Sequence, residues 1–198
     1  MTGPLLASLC AFSIVTSVTP GPNNLMLLAS GVSFGFRRSL PHTIGISLGF
    51  FVLLLATGFG LGALLTAYPM AQHGLGIFGE IYLIYLAYRI ATRGSVSGAH
   101  APDKKPMTLF QAAMFQWINP KAWFMALTGM ALYADAQKPF VSIAIVALVF
   151  ALLNWPCVLL WAALGVSLRN FFDDPRHLRW FNRLMAVLLI GSLLVQNS

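Results

Sequence analysis

Charged residues are scarce in this sequence. Only 9% of its 198 residues are Asp, Glu, Lys or Arg, whereas a soluble domain carries about 25%. Hydrophobic residues make up 58% of the chain, and the mean hydropathy is +0.78. This composition leaves little room for a soluble domain and indicates a polytopic membrane protein.

Cysteine is also scarce, because the chain has only Cys10 and Cys157. Both fall in predicted membrane spans, so a disulfide framework is not expected. A cleavable signal peptide is not expected either. No basic segment precedes the first apolar run, and that run continues past Pro20. We therefore interpret it as the first membrane span.

The residue patterns of common enzyme and metal sites are missing. There is no phosphate loop and no pair of carboxylates placed for catalysis. The Gly31–Gly35 segment matches Gly-x-Ser-x-Gly, but a nucleophile elbow follows a strand, whereas this segment ends a predicted membrane helix. The histidines fall in loops or at span ends on both sides of the membrane, without metal-ligand spacing; they are His42, His73, His100 and His177. We expect no enzyme activity, no metal and no cofactor.

Hydrophobic runs fill almost the whole chain. A membrane helix needs about 20 apolar residues, so six spans and short loops account for the length. The predicted spans are 4–32, 40–67, 72–92, 108–133, 139–168 and 180–196. The fold class is therefore all-α integral membrane.

Lysine and arginine are distributed unevenly between the predicted loops. The even-numbered loops carry only Lys138, and Lys121 falls inside a predicted span. The odd-numbered loops carry Arg37, Arg38, Arg89, Arg93, Lys104, Lys105, Arg169, Arg176, Arg179 and Arg183. The positive-inside rule then places the odd loops in the cytoplasm and both termini outside it. We interpret the net charge of +7 as a result of the basic residues in the cytoplasmic loops, and we expect no nucleic-acid partner.

The first span contains a helix-breaking segment. Pro20 and Pro22 supply no backbone N–H and clash with the preceding turn, and Gly21 has little helix preference. Broken backbone at membrane depth is tolerated only where protein buries it or where it lines a watery cavity. Because Asn23 and Asn24 follow at once, the segment predicts a binding site within the membrane.

The two halves of the chain resemble each other weakly at a constant offset of 98 residues. Pro22 then corresponds to Pro120, and Pro41 to Pro139. Repeat one would cover about 1–97 and repeat two about 98–198. Three spans in each half would insert the repeats upside down relative to each other, and interrupted helices at matching positions are typical of transporter sites.

A second break is predicted at Asn119-Pro120-Lys121. Asn is a good N-cap and Pro is favoured at the first helical position, so the fourth span should restart here. The restarted half-helices would present their N-termini to the middle of the membrane from opposite sides. Such N-termini suit a carboxylate.

A few polar residues lie within the predicted spans, where ionisable groups are costly. Lys121 would either contact a substrate carboxylate, take part in proton coupling, or serve a structural role. Glu80 would bind an ammonium group, carry a proton, or pair with Lys121. Gln116 and Asn154, the latter next to a third kink at Pro156, would either line the site or join helices.

Small residues recur four apart in the second span, at Gly45 and Gly49 and at Gly58 and Gly62. They indicate close helix packing. They would also permit a homodimer without requiring one.

Two of these segments resemble the signature motifs of the LysE/RhtB superfamily of bacterial amino-acid exporters. The first is Thr19–Asn24 with Gly31 and the Gly35-Phe36-Arg37 turn, and the second is Asn119-Pro120-Lys121. Gly79 and the Tyr82–Ala87 segment resemble the third-span pattern. The resemblance covers essentially the whole chain and is nearest to the homoserine/threonine and cysteine/O-acetylserine exporters.

The resemblance implies proton-driven efflux of a small amino acid or derivative across the bacterial inner membrane. It carries functional roles to Pro20, Gly21, Pro22 and Asn23, and to Asn119, Pro120 and Lys121. Glu80 departs from the small residue expected at its position. The alternatives are an exporter of another small solute and a thiol–disulfide electron carrier that uses Cys10 and Cys157.

The resulting hypothesis is a single membrane transporter domain that alternates access around a midplane site. The residues expected to bind substrate are Pro20, Gly21, Pro22, Asn23, Asn24, Gln116, Asn119, Pro120, Lys121 and Asn154. Glu80 and Lys121 are expected to couple transport to the proton.

Overall fold

The computed structural model describes residues 1–92, 105–169 and 175–196, and the regular elements in these ranges are helices. The α-helices are α1 (Gly3–Val18), α2 (Pro22–Phe34), α3 (Phe36–Ala56), α4 (Gly62–Ala67), α5 (Pro69–Ala91), α6 (Leu109–Phe115), α7 (Pro120–Tyr133), α8 (Pro139–Ser167) and α9 (Pro175–Gln196). A π-helical turn, Thr57–Leu61, joins α3 to α4, and a 3-10 turn, Gln116–Ile118, follows α6.

Both predicted helix breaks are present. The first separates α1 from α2, and the two helices meet at an angle of 55°. The second follows the 3-10 turn, where Asn119 is extended before α7 begins at Pro120. Each restarted helix has proline at its first position, where the missing N–H costs nothing.

Four of the predicted spans have helices long and apolar enough to cross a membrane. Three are single helical segments, and α1 with α2 forms the fourth as a bent pair; the single segments are Phe36–Ala67, Pro69–Ala91 and Pro139–Ser167. The first half of the broken pair α6–α7 has only seven residues, and α9 carries Arg176, Arg179 and Arg183 in its first half. Six spans therefore stay a prediction for these two segments.

One local expectation was wrong. The predicted loop between spans 1 and 2 is a single residue, Gly35, because α2 extends to Phe34 and α3 begins at Phe36. Gly35 has φ +79°, a conformation open to glycine but strained for other residues, so it turns the chain without a longer loop. At Pro156, α8 continues as one helix, so the third kink stays a prediction.

The outside of the helix bundle is apolar and the inside contains polar groups. Large exposed side chains include Phe110, Phe124, Phe140, Leu160 and Trp180, a surface that a soluble monomer rarely presents. The buried polar residues include Ser17, Asn24, Ser47, Gln116, Asn119 and Asn154. This distribution is that of a multi-pass membrane protein, with lipid against the apolar surface.

Glycines allow the helices to approach closely. A Cβ on Gly31 would clash with the Ala162 carbonyl oxygen and come within 3.1 Å of Gly165 Cα, so α2 and α8 cross in direct backbone contact. Gly45 and Gly49 of α3 lie against α6 in the same way. These two glycines pack within the chain, as expected for small residues four apart, and do not supply a dimer surface.

Described residues next to each of the three predicted basic loops lie at one end of the bundle. Gly35 would place a Cβ 3.5 Å from Arg169 Nη1, and Phe34, Arg89 and Lys105 line one cavity. We call this the positive end. At the opposite end, the Ser8 hydroxyl lies 3.1 Å from the Tyr133 hydroxyl, close in sequence to Lys138.

Candidate functional site

A small cavity lies where the two broken helices meet. Seven of the ten predicted binding residues are in its lining: Gly21, Asn23, Asn24, Gln116, Asn119, Lys121 and Asn154. Pro20, Pro22 and Pro120 are not, and their role is to break and restart the helices. The space open to the centre of a water molecule is about 20 Å³, enough for one or two waters. The cavity is therefore smaller than an amino acid.

The C-terminus of α1 ends in carbonyl groups that receive side-chain donors from three other helices. Asn24 Nδ2 donates to the Ser17 and Thr19 oxygens, each at 2.8 Å. Trp161 Nε1 donates to the Val18 oxygen at 3.1 Å. Because a helix leaves its last carbonyls without intrahelical partners, these donors from α2 and α8 hold the end of α1 at the break.

The third donor to the end of α1 is the Lys121 ammonium. Its Nζ lies 2.7 Å from the Thr19 carbonyl oxygen, 3.0 Å from Thr19 Oγ1 and 3.4 Å from the Pro20 oxygen. A cation at a helix C-terminus is favoured by the helix dipole. The sequence left a substrate carboxylate, proton coupling and a structural role open for Lys121. It did not identify the backbone at the end of α1 as the partner.

Gly21 makes room for Lys121. A Cβ at Gly21 would lie 2.7 Å from Lys121 Cδ and 3.1 Å from Nζ. The backbone of Gly21 is fully extended, a conformation that any residue adopts. The absence of a side chain therefore serves space rather than backbone conformation.

Asn23 and Gln116 join the two breaks directly. Asn23 Nδ2 donates to Gln116 Oε1 at 2.8 Å, and Gln116 Nε2 donates back to Asn23 Oδ1 at 3.2 Å. Gln116 Nε2 also donates to the Ala112 carbonyl oxygen at 2.9 Å, and the Gln116 side chain is fully buried. This reciprocal amide pair ties the first turn of α2 to the end of α6.

Asn119 is the N-cap of α7, as predicted. Its Oδ1 accepts a hydrogen bond from the Lys121 backbone N–H at 3.2 Å. The same break is held from the other side, because Trp123 Nε1 donates to the Trp117 carbonyl oxygen at 2.8 Å. These two bonds fix the chain at the break and at the start of α7.

Asn154 connects three helices within the cavity wall. Its Nδ2 donates to Ser17 Oγ of α1 at 3.1 Å, and its Oδ1 accepts from Ser47 Oγ of α3 at 3.2 Å. The structure therefore supports the structural role considered for this residue. Asn154 also lines the cavity, so its amide is in a position to contact a bound molecule.

Glu80 lies at the middle of α5, eleven residues from either end, or about 16 Å along the axis. The predicted span began at residue 72, whereas α5 begins at Pro69. The preceding Gly79 packs so closely that a Cβ there would clash with the Ile118 carbonyl oxygen at the second break. Glu80 is half-buried and is not among the described residues that line the cavity.

The cavity presents opposite partial charges to a bound molecule. The N-termini of α2 and α7 provide amide N–H groups with positive partial charge, and the C-terminus of α1 provides carbonyls with negative partial charge. Lys121 is the one charged residue in the described lining. The arrangement can hold a carboxylate at the N-termini and an ammonium group at the end of α1, which are the two charges of a zwitterion.

Some residues of the site were missed from the sequence. Thr19 supplies two of the three oxygens around the Lys121 ammonium, while Ser17 and Ser47 hold Asn154. Trp161 caps the C-terminus of α1. Only Thr19 had a signal, since it begins the helix-breaking segment; serines in an apolar helix give no sign of their partners.

Comparison with known proteins identifies the family. The LysE type translocator family matches residues 14–194. The chain belongs to this family. It is 31% identical over 192 residues to the cysteine/O-acetylserine efflux proteins of Escherichia coli strain K12 and of Shigella sonnei, with 96% of each chain covered. No solved structure matches the chain.

Membership in the LysE family makes the chain a transport protein and not an enzyme, as predicted. The motifs that suggested the superfamily are the ones that build the cavity. The family also sets aside the electron-carrier alternative, for which Cys10 and Cys157 were considered; both are free thiols.

Proposed function

We propose that this protein exports a small amino acid or amino-acid derivative from the cytoplasm, driven by the proton gradient. Cysteine and O-acetylserine are the first candidate substrates, because the relatives at 31% identity are named for their efflux. The observation that carries the proposal is the juxtaposition of two helix N-termini, one helix C-terminus and Lys121 around one cavity. This set of groups matches the carboxylate and ammonium of an amino acid.

The ammonium group of the substrate would bind the carbonyls at the end of α1. In the structure the Lys121 ammonium donates to these oxygens. A substrate ammonium has the same charge and the same donors, so it can replace Lys121 there. Lys121 would then turn to the substrate carboxylate, which the first-turn amides of α2 and α7 also attract.

The substrate side chain would face the apolar part of the lining. Ile46, Phe50, Met125 and Val158 form this part. Because the cavity holds only about 20 Å³, the helices must separate before an amino acid can bind there. A short side chain requires the smallest separation, which favours cysteine over amino acids with large side chains. O-acetylserine is a candidate through the relatives that are named for its efflux.

The transport cycle would follow from an inverted repeat. Repeat one, about 1–97, and repeat two, about 98–198, would each contribute three spans and one broken helix to a single domain, and would rock around the cavity. The positive end would face the cytoplasm of the bacterial inner membrane, with both termini outside. Glu80, beside the second break, would carry the coupled proton.

Efflux from cells that express the protein tests the function. Cells are preloaded with labelled cysteine, O-acetylserine, threonine, homoserine or lysine, and each assay is repeated with a protonophore. We expect faster efflux of cysteine or O-acetylserine than from cells with empty vector, and loss of this difference with the protonophore.

The panel separates the parts of the proposal. Accelerated efflux of lysine alone would contradict the substrate assignment. Efflux that the protonophore does not reduce would contradict proton coupling. If none of the amino acids leaves faster than from control cells, the protein exports a different small solute.

A further inference from the structure

A second and larger cavity opens toward the positive end of the bundle. The space in it that is open to the centre of a water molecule is about 460 Å³. This volume is within the range of small-molecule sites. Residues of α2, α3, α5 and α6 line it. It is thus large enough for an amino acid, whereas the cavity at the breaks is too small for one.

This second cavity is positively charged. Arg89, at the end of α5, and Lys105, before α6, are in its lining, and the described lining includes no Asp or Glu. Arg89 is held in place by Tyr85, because its Nη1 donates to the Tyr85 hydroxyl at 3.3 Å and its guanidinium lies 5.9 Å from the ring centre. Cations focused in a concave wall raise the local concentration of anions.

The two cavities are neighbours along the same half-helices. On α2, Met26 and Ser30 line the second cavity, while Asn23, about 4.5 Å before Met26 along the axis, lines the first. On α6, Gln111 lines the second cavity and Gln116, just beyond its end, lines the first. The Asn23–Gln116 amide pair lies at this junction.

We propose that the second cavity is a vestibule through which the substrate reaches the site, with Arg89 and Lys105 attracting its carboxylate first. The proposal rests on the amino-acid export proposed above. The substrate would arrive carboxylate first at the positive end and pass along α2 and α6. Opening of the Asn23–Gln116 pair would then admit it to the site cavity.

A thiol probe in the vestibule measures the electrostatic part of this proposal without transport. Met107 lines the second cavity and is half-buried, so Met107→Cys is introduced into the full chain with Cys10→Ser and Cys157→Ser. The purified protein in neutral detergent is treated with methanethiosulfonates that carry either a sulfonate or a quaternary ammonium group. The modification rate of Met107→Cys with each reagent is divided by the rate of the same reagent with a free thiol. At low salt we expect this relative rate to be roughly tenfold higher for the sulfonate reagent than for the cationic one.

The preference must depend on Arg89 and Lys105. The combined change Arg89→Gln and Lys105→Gln should remove most of it, and so should 1 M salt, where the screening length is about 3 Å. Ala136→Cys is the matched control, because Ala136 is exposed in the turn at the opposite end. Its reagent preference should not respond to the two substitutions.

Substrate efflux supplies the second readout. The doubly substituted protein should need a several-fold higher internal substrate concentration for half-maximal efflux, while its maximal rate is retained. An exported amino acid should also slow the modification of Met107→Cys. An unchanged reagent preference, or unchanged half-saturation despite active export, would overturn the vestibule while the proposed function stands. If no amino acid is exported or protects the thiol, the vestibule is overturned as a substrate site together with the function.

Discussion

The Asn23–Gln116 amide pair should be worth about 1–2 kcal/mol of coupling. Two mutual hydrogen bonds, at 2.8 and 3.2 Å, contribute about 1 kcal/mol each by the usual net value. Interhelical bonds in a membrane protein average about 0.6 kcal/mol each and reach about 1.7. The fully buried position of Gln116 favours the upper part of this range.

Substitutions of similar shape expose this coupling. Asn23→Leu leaves Gln116 Oε1 without its donor, although Nε2 keeps the Ala112 carbonyl. An unsatisfied buried polar group costs about 1–3 kcal/mol, so each of Asn23→Leu and Gln116→Met should lower the free energy of unfolding by that amount. The double variant leaves neither amide without its partner. Its loss of unfolding free energy should therefore be about 1–2 kcal/mol smaller than the sum of the losses of the two single variants.

The assay is unfolding in mixed micelles for the wild type, both single variants and the double variant. Asn23→Leu combined with Ser8→Ala is the control cycle, since Ser8 lies at the far end near Tyr133 and distant sites add to within about 0.3–0.5 kcal/mol. If the Asn23–Gln116 cycle is additive to within the same margin, the pair does not join the two breaks and our description of the site fails.

Two further predictions concern packing and coupling. Gly31→Ala should destabilise the protein by about 1–3 kcal/mol, the usual cost of overpacking, because its Cβ meets the backbone of Ala162 and Gly165. Thermal unfolding in detergent measures this loss. Gly74→Ala is the control and should be neutral or stabilising, because nothing lies within 4 Å of its Cβ. An equal response of the two variants would refute the close crossing of α2 and α8. Glu80→Gln should retain substrate exchange between two pools and lose protonophore-sensitive efflux, and a variant that still responds to the protonophore would remove Glu80 from the coupling role.

The architecture was largely readable from the sequence, because the membrane imposes strong local rules. Hydrophobic run length placed the helices of four spans, and proline positions placed both breaks to within a few residues. The N-cap at Asn119 followed from residue type alone. The distribution of lysine and arginine identified loops that the fold brings to one end.

The partners within the site were not readable, because they depend on which helices meet. Lys121 was expected to face a carboxylate, and its bond to the Thr19 carbonyl requires knowing that the end of α1 lies beside the start of α7. Trp161 and Ser17 are ordinary residues of apolar helices until α8 is placed against α1. The single-residue turn at Gly35 was missed because the apolar pattern fades before the helix ends.

The most direct test of the central claim is substrate exchange in proteoliposomes by the wild type and Lys121→Ala. Exchange needs no proton gradient, so it reports on the site rather than on coupling. Lys138→Ala is the matched control, since Lys138 is exposed at the opposite end. We predict that Lys121→Ala raises the half-saturating concentration of O-acetylserine or cysteine at least about tenfold, a loss of one charge-assisted contact worth about 1.4 kcal/mol, while Lys138→Ala matches the wild type. Exchange by Lys121→Ala with wild-type half-saturation would contradict the placement of the substrate between the broken helices.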